Sequence, residues 1–411
     1  MILSKRQHEA IHQSLLMLFC FLLPLHPRLS VLTIIFLAIN WLLSGHVYFN
    51  FKSFLSPLPL LFFSFYILHL IGLIYTSNWA EGIQRVETKL PLLVFPLILF
   101  SFPVKNKKGI FSILISYVIG CLVASVYCFG NGFLKYMNTG ENWMAYKKQG
   151  NFLGFHPTYF SMYLSCAFFI VLFFLMKKIK THSKKYKIGS GILVSWFFVI
   201  ILLLSSRMTI LATVFILGVS FLVWMYFQKK LWKGIGISTL AIALLLISIK
   251  NIPSVGQRTQ HTINSAIDKG SNKKNRAPRI NLWNAAFTVI KENPIIGTGT
   301  GDLQNELVKI YKERNYERAL KDNFNPHNQY LQTTATLGII GGVLLLIYLI
   351  ISFWFAFQEK DYLYLLFLSL VMMSFLTESI LQTQRGTLFF GFFHTFLAMM
   401  FLEKKETKYK H

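Results

Sequence analysis

Apolar runs alternate with short polar loops along most of this chain, and one long polar stretch, Lys250 to Phe324, breaks the rhythm. A helix needs about twenty apolar residues to cross a bilayer, somewhat fewer where the membrane thins. On that criterion about twelve spans are predicted. They lie near Ser14–Leu25, Leu29–Gly45, Leu58–Tyr75, Leu90–Phe102, Ile110–Gly130, Tyr159–Met176, Ile192–Ser205, Met208–Phe227, Ile235–Ile249, Leu337–Phe357, Leu363–Leu376 and Leu388–Leu402. Pro91 and Pro96 mark the fourth for a kink. Within the polar stretch, Pro278-Arg279 opens an amphipathic helix, since proline suits a first helical turn, and Asn293-Pro294 closes it. Leu303, Leu307, Ile310 and Tyr311 then recur at helical spacing.

Composition agrees. The chain has 411 residues, 54% hydrophobic and 14% charged, with mean hydropathy +0.51; soluble domains carry about 25% charged residues. The runs are continuously apolar rather than alternating, which excludes a membrane β-barrel. The expected fold is therefore an all-α polytopic membrane protein. Residues 1–249 carry spans one to nine, 250–326 form a large loop with short helices, and 327–411 carry the last three spans and a tail. Lys5 and Arg6 before the first apolar run resemble a signal peptide, but no small-residue cleavage site follows, so an uncleaved first helix is expected.

The formal charge of +25 does not indicate nucleic acid. Lys and Arg cluster in alternate short loops, where orientation signals belong. With twelve spans those clusters share one face, which should be cytoplasmic along with both termini. The stretch 250–326 then faces outward; a loop of that length translocates regardless of its charge. Anionic lipid headgroups or a phosphate-bearing lipid substrate suit the excess charge better than nucleic acid. Four cysteines, Cys20, Cys121, Cys128 and Cys166, sit in or beside apolar runs as small hydrophobes, and no Cys/His spacing reads as a metal site.

The chemistry concentrates on the outer side. Arg207 stands where two spans meet with almost no loop, in Ser205-Ser206-Arg207, and the orientation rule disfavours a mere anchor there. Arg279 lies one turn before Trp283. Gly297-Thr298-Gly299-Thr300-Gly301 is a shaped turn and, with no preceding strand, not a nucleotide fingerprint. His327, in Asn325-Pro326-His327-Asn328, precedes an apolar helix, where an imidazole suits a general base at neutral pH. Arg276, Arg85, Lys89 and Arg385 are further basic groups of the same mouth. No zinc-protease, nucleophile-elbow or Walker motif occurs, and the outer carboxylates Glu81, Glu87, Glu141 and Glu378 are scattered in sequence, which favours metal-independent chemistry.

The series Arg279, Trp283, Pro294, Gly297-x-Gly299-x-Gly301, His327-Asn328, Leu331-Gln332, Leu337-Gly338 and Gly341, with Arg207 ahead of it, resembles the O-antigen ligase and polymerase superfamily of bacterial inner-membrane glycan transferases. Asp302 departs from it, since an apolar or aromatic residue commonly follows the last glycine. The resemblance implies a GT-C-like helical fold. It also implies inverting transfer of a glycan from an undecaprenyl-diphosphate carrier, on the periplasmic side of the inner membrane and without a cofactor. In ligases the acceptor is a sugar hydroxyl of lipid A core; in polymerases it is another carrier-linked glycan. It assigns Arg207, Arg279 and His327 as catalytic, the two arginines also binding substrate. Beside that assignment, Arg276, Arg85, Trp283 and Gly299 are the further substrate-binding candidates of this sequence. Ligase is the leading expectation, because the loop is single and compact, and polymerase the alternative. A transporter of lipid-linked glycans would need mid-membrane polar groups, and His69 and His394 are the main ones.

Overall fold

The computed structural model describes residues 3–45, 57–177, 183–204, 206–236 and 279–409, with the side chain of Arg207 outside that description. Every regular element among them is helical. The apolar body comprises α1 (Lys5–Leu22), α2 (Pro27–Leu43), α3 (Pro57–Ile74), α5 (Pro91–Ser101), α6 (Lys107–Thr139), α8 (Pro157–Lys177), α9 (Lys184–Leu203), α10 (Arg207–Phe227), α14 (Gln329–Gln358), α15 (Tyr362–Phe375) and α16 (Gln384–Tyr409). Shorter helices lie between them: α4 (Trp79–Lys89), α7 (Tyr146–Asn151), α11 (Arg279–Glu292), α12 (Leu303–Glu313) and α13 (Glu317–Lys321). Among the described residues, five helices are long and apolar enough to cross a membrane by themselves, and Pro27–Leu43, Pro59–Ile74 and Tyr362–Phe375 are shorter apolar ones. This is an all-helical membrane protein. The predicted ninth span, Ile235–Ile249, lies outside the described residues from 237 onward.

Several boundaries differ from the apolar runs for local reasons. The first helix begins at Lys5 rather than near Ser14, because Ser4 and Gln7 form a reciprocal capping box that nucleates a polar first turn. The fifth span extends to Thr139, past its apolar part, until Gly140 closes it in the left-handed conformation. The tenth starts at Gln329 rather than Leu337, and the helix breaks locally at Leu337 and Gly338. That break shapes the candidate site.

Lipid tails are as apolar as leucine, so helix association in a bilayer rests on close packing and a few polar contacts. The core shows both. Residues 159–171 of α8 and most of 388–399 of α16 are buried, and they interleave aromatic rings: Phe389 stacks on Tyr163, and Phe393 meets Tyr117 edge-on. Polar ties cross between helices at Ser165–Thr213 (2.9 Å), Trp196–Ser125 (2.9 Å) and Trp41–Ser101 (2.6 Å). His394 is one more packed ring, stacked on Phe62 and Phe390 within hydrogen-bonding reach of Tyr364 and Ser352. His69 lies against Phe65, with Nδ1 2.9 Å from that residue's carbonyl oxygen. Both histidines of the transport reading are core groups, and the four cysteines are buried free thiols.

One end of the bundle gathers the start of α8, α10, α14 and α16, the end of α3, and α4. Helices α11 to α13 form a small cap on it, with Leu282, Ala285, Ala286 and Val289 packed against Leu303, Leu307, Ile310 and Tyr311. The face of α12 read from the periodicity, Leu303, Leu307, Ile310 and Tyr311, is its buried face.

Candidate functional site

The break in α14 frees backbone groups that a regular helix would use, and the glycine–threonine turn takes them. Thr298 and Gly299 donate their amides to Ala335 O and Thr336 O (3.1 and 2.9 Å), and Ile339 donates to Pro294 O (2.8 Å). Gly338, at φ +66°, presses against the backbone of Ile295, where a Cβ has no room. The other side of the turn grips the end of α3. Thr300 donates from its amide to Gly72 O (3.1 Å) and from its hydroxyl to His69 O (2.7 Å), and Gly301 donates to Thr76 Oγ1 (3.2 Å). Asp302, the departure from the family pattern, accepts from the amides of Ser77 and Asn78 at 2.7 Å each, fastening the start of α4. The Gly299 amide is thus engaged within the protein, and this residue serves the site through the shape of its wall.

Clamped in this way, α4 presents Glu81, Arg85 and Lys89 on one face, four residues apart. Trp79 and Ile83 are exposed on the other, as suits an interfacial helix. Arg85 pairs with Glu81 at 2.6 Å and donates to Gln382 O at 3.3 Å. Lys89 is 1% exposed. Burial, with Arg85 close by, pushes its ammonium down to about 7, and Glu81 partly opposes this.

His327 stands just before α14 with φ +47°, a strained value for a residue with a side chain. Its amide donates to Asn325 Oδ1 (2.8 Å), and its Nδ1 lies 3.0 Å from Glu378 Oε1. A carboxylate only accepts, so the proton of this bond sits on Nδ1 and leaves Nε2 as an acceptor. Glu378 reaches His327 because the first turn of α14 is tied to residues 376–381. Asn328 caps α14 by accepting from Leu331 N (3.0 Å); it also donates to Leu376 O (3.1 Å) and, through its amide, to Ser379 Oγ (3.2 Å). Gln329 Oε1 accepts from Leu381 N at 2.7 Å. Tyr159, on α8, is buried close to Glu378 and Thr383.

Arg207 opens α10 directly after the Leu203 end of α9. Counting six residues back from the Ser165–Thr213 contact along parallel helices sets its backbone level with Tyr159. Arg279 opens α11 and is exposed, while Trp283 is half-buried with its indole N–H buried and unpaired. Arg276 lies outside the described residues. Arg385 is held by structure: it donates to Leu153 O (2.9 Å) and its guanidinium covers the Phe155 ring at 3.8 Å.

Sequence reasoning misses two residues of this site. Glu378 stands among scattered carboxylates, 51 residues from its partner. Gln332 belongs to the family series without a role of its own; it is 7% exposed, lines the cleft beside Arg85, and its Oε1 is buried without a partner. An unmet buried acceptor costs about 1–3 kcal/mol, a signal that only the structure carries. Below the cleft, an apolar groove of about 940 Å³ runs between α3, α5 and α14 along Leu68, Ile71, Leu93, Leu97, Ile340 and Val343.

Residues 192–346, which run from α9 through the cap to α14, match the family described as O-Antigen ligase. That match supports the resemblance of this segment to the O-antigen ligase and polymerase superfamily. The chain is also similar to an uncharacterized protein of Haemophilus influenzae, at 27% identity over 316 residues, which covers 74% of each chain. Members of the superfamily are glycosyltransferase-like ligases and polymerases. The matched segment contains Arg207, Arg279, Trp283, the glycine–threonine turn and His327, whereas Glu378, Arg85 and Glu81 lie outside it.

Proposed function

We propose that this protein is an O-antigen ligase, transferring a glycan from undecaprenyl diphosphate to a sugar hydroxyl of lipid A core at the periplasmic face of the inner membrane, with both termini cytoplasmic. The observation that carries the reading is the His327–Glu378 pair at the head of α14. His327 Nε2 takes the proton of the acceptor hydroxyl as its oxygen bonds to the anomeric carbon. Glu378 orients the ring and stabilises the imidazolium that forms. The bond from that carbon to the diphosphate breaks on the opposite side, so configuration inverts. The leaving diphosphate collects the negative charge. Arg207, Arg279 and Arg276 are assigned to it, because guanidinium groups stay charged and bind phosphate bidentately. The apolar groove suits the carrier's isoprenoid tail. The donor is already activated, so the reaction asks for no cofactor.

The test is transfer by the purified, reconstituted chain supplied with undecaprenyl-diphosphate glycan and lipid A core. Glycan on core that vanishes with His327→Ala supports the ligase. Longer carrier-linked chains with unmodified core would make it a polymerase, and no product from any carrier would overturn both.

A further inference from the structure

We infer that Pro294-Ile295-Ile296 is inserted among the acyl chains of the leaflet on the site's side of the membrane, so that the glycine–threonine turn is a lipid-anchored wedge and not part of an aqueous loop. The placement stands whether or not the chain transfers glycan. Ile295 and Ile296 are 63% and 49% exposed. Ile296 O accepts from the Tyr75 hydroxyl at 2.6 Å, and Pro294 O from the Ile339 amide at 2.8 Å. The pair therefore adjoins Ile74 at the end of α3 and Ile339 and Ile340 just past the break in α14, all three exposed. Ile71, Ile339 and Ile340 carry the same surface on into the apolar groove. Elsewhere on the cap, α12 and the residue after it expose Lys309, Lys312, Glu313 and Arg314 instead. An apolar patch that continues the outer face of a membrane bundle is covered by the same lipid.

Helix lengths set the level. α14 has 30 residues, about 45 Å at 1.5 Å each, whereas the hydrocarbon takes about 30 Å, or about twenty residues. Glu359, Lys360 and Asp361 bound its far end. About twenty residues back from Gln358 lies the break at Leu337-Gly338. Gln329, Gln332, Thr333, Thr334 and Thr336 precede that break, and the residues after it are mostly apolar. α3, with 18 residues, covers about 27 Å and ends at Ile74. Both helices thus put the hydrocarbon edge beside Ile295 and Ile296, and exposed Trp79 follows at headgroup level. Backbone at that depth must find its partners inside the protein, because lipid offers none. The turn meets this demand: the amides of Thr298 and Gly299 donate to α14, that of Thr300 to α3, and that of Gly301 to Thr76 Oγ1.

Spin labelling tests the placement without any substrate. The full chain is reconstituted in phosphatidylcholine vesicles as Ile296→Cys, with Leu346→Cys on the exposed face of α14 as the lipid reference and Lys312→Cys on α12 as the water reference. The four native cysteines are buried, so the nitroxide goes to the introduced thiol, and the native chain taken through the same labelling is the blank. Collisions are measured with molecular oxygen, which concentrates among acyl chains, and with a water-soluble nickel chelate. The label at 296 is expected to lose most of the nickel collisions seen at Lys312→Cys while keeping oxygen collisions close to those at Leu346→Cys. Nickel collisions equal to those at Lys312→Cys would put the turn in water and overturn the inference. Low collision with both reagents would overturn it as well, by showing that protein, such as a second copy of the chain, covers the pair. Should Ile296→Cys fail to fold, Ile295→Cys carries the same readings.

Discussion

The turn at 297–302 and the head of α14 are neighbours built from similar polar residues, and they differ in what is left over. In the turn, the amides of Thr298, Gly299, Thr300 and Gly301 and both carboxylate oxygens of Asp302 are engaged by the protein. At the head of α14, His327 keeps one ring nitrogen beyond its bond to Glu378, holds a left-handed backbone, and has a side chain 26% exposed. Gln332, one turn further, keeps an unpaired buried oxygen. A glycine-rich stretch draws the eye as a ligand cradle, but its hydrogen-bonding capacity is used in joining α3, α4 and α14. The proposed chemistry falls where capacity remains, and the fully bonded turn holds that region in place.

Substitutions can break this contrast. The largest effect is expected from His327→Ala, which should lower transfer by roughly a hundredfold to ten-thousandfold, the range of a general base, with the melting temperature close to native. A variant that still transfers at the native rate would remove the base from the mechanism. Glu378→Gln should cost about tenfold to a hundredfold, because the amide can hold the ring but cannot stabilise an imidazolium. The pH dependence of kcat/KM measures this: a smaller loss at high pH than at neutrality would contradict the assignment, since the imidazolium matters at every pH where His327 turns over.

The turn should behave in the opposite way. Asp302→Ala leaves two amides at the start of α4 without their acceptor and should cost about 1–3 kcal/mol of stability. It should act on transfer only through loss of folded protein, seen as a lowered melting temperature with normal kcat per folded molecule. A fall in kcat at full stability would give the turn a direct role.

Lys89 gives the smallest effect and a sign that can be worked out. Its folded value is pushed down from the ordinary lysine range to about 7, so between about pH 7 and the unfolded value near 10.5 the unfolded chain holds more protons. Native stability therefore rises with pH across that window. Lys89→Met should melt a few degrees above native at about pH 6, where the burial penalty is complete, and the difference should shrink as pH climbs towards about 10. A constant difference across pH would show that Lys89 is not the group responsible.

Much of this protein is legible in its amino-acid order. The apolar runs announce the helices of the body, and 3.6-residue periodicity places the buried face of α12 on the right residues. Asn293-Pro294 and the Ser206-Arg207 junction mark helix ends that the structure keeps. Boundaries go astray where polar residues extend a helix, as with the capping box at Ser4 and the polar first turns of α14, because hydropathy does not see backbone hydrogen bonding. Of the basic groups named from sequence, Arg85 and Arg385 are the ones whose character changes most: Glu81 neutralises the first, and the second is stacked on Phe155.

An all-helical membrane body and an amphipathic cap follow from the linear chain, because burial pattern is a property of nearby residues. Folding in space settles that Glu378 answers His327, that Asp302 is a clamp, and that Gln332 faces a cleft with its oxygen unmet. These are relations between residues tens to hundreds of positions apart. A hydrogen bond depends on distance and direction in space, which spacing along the chain does not encode.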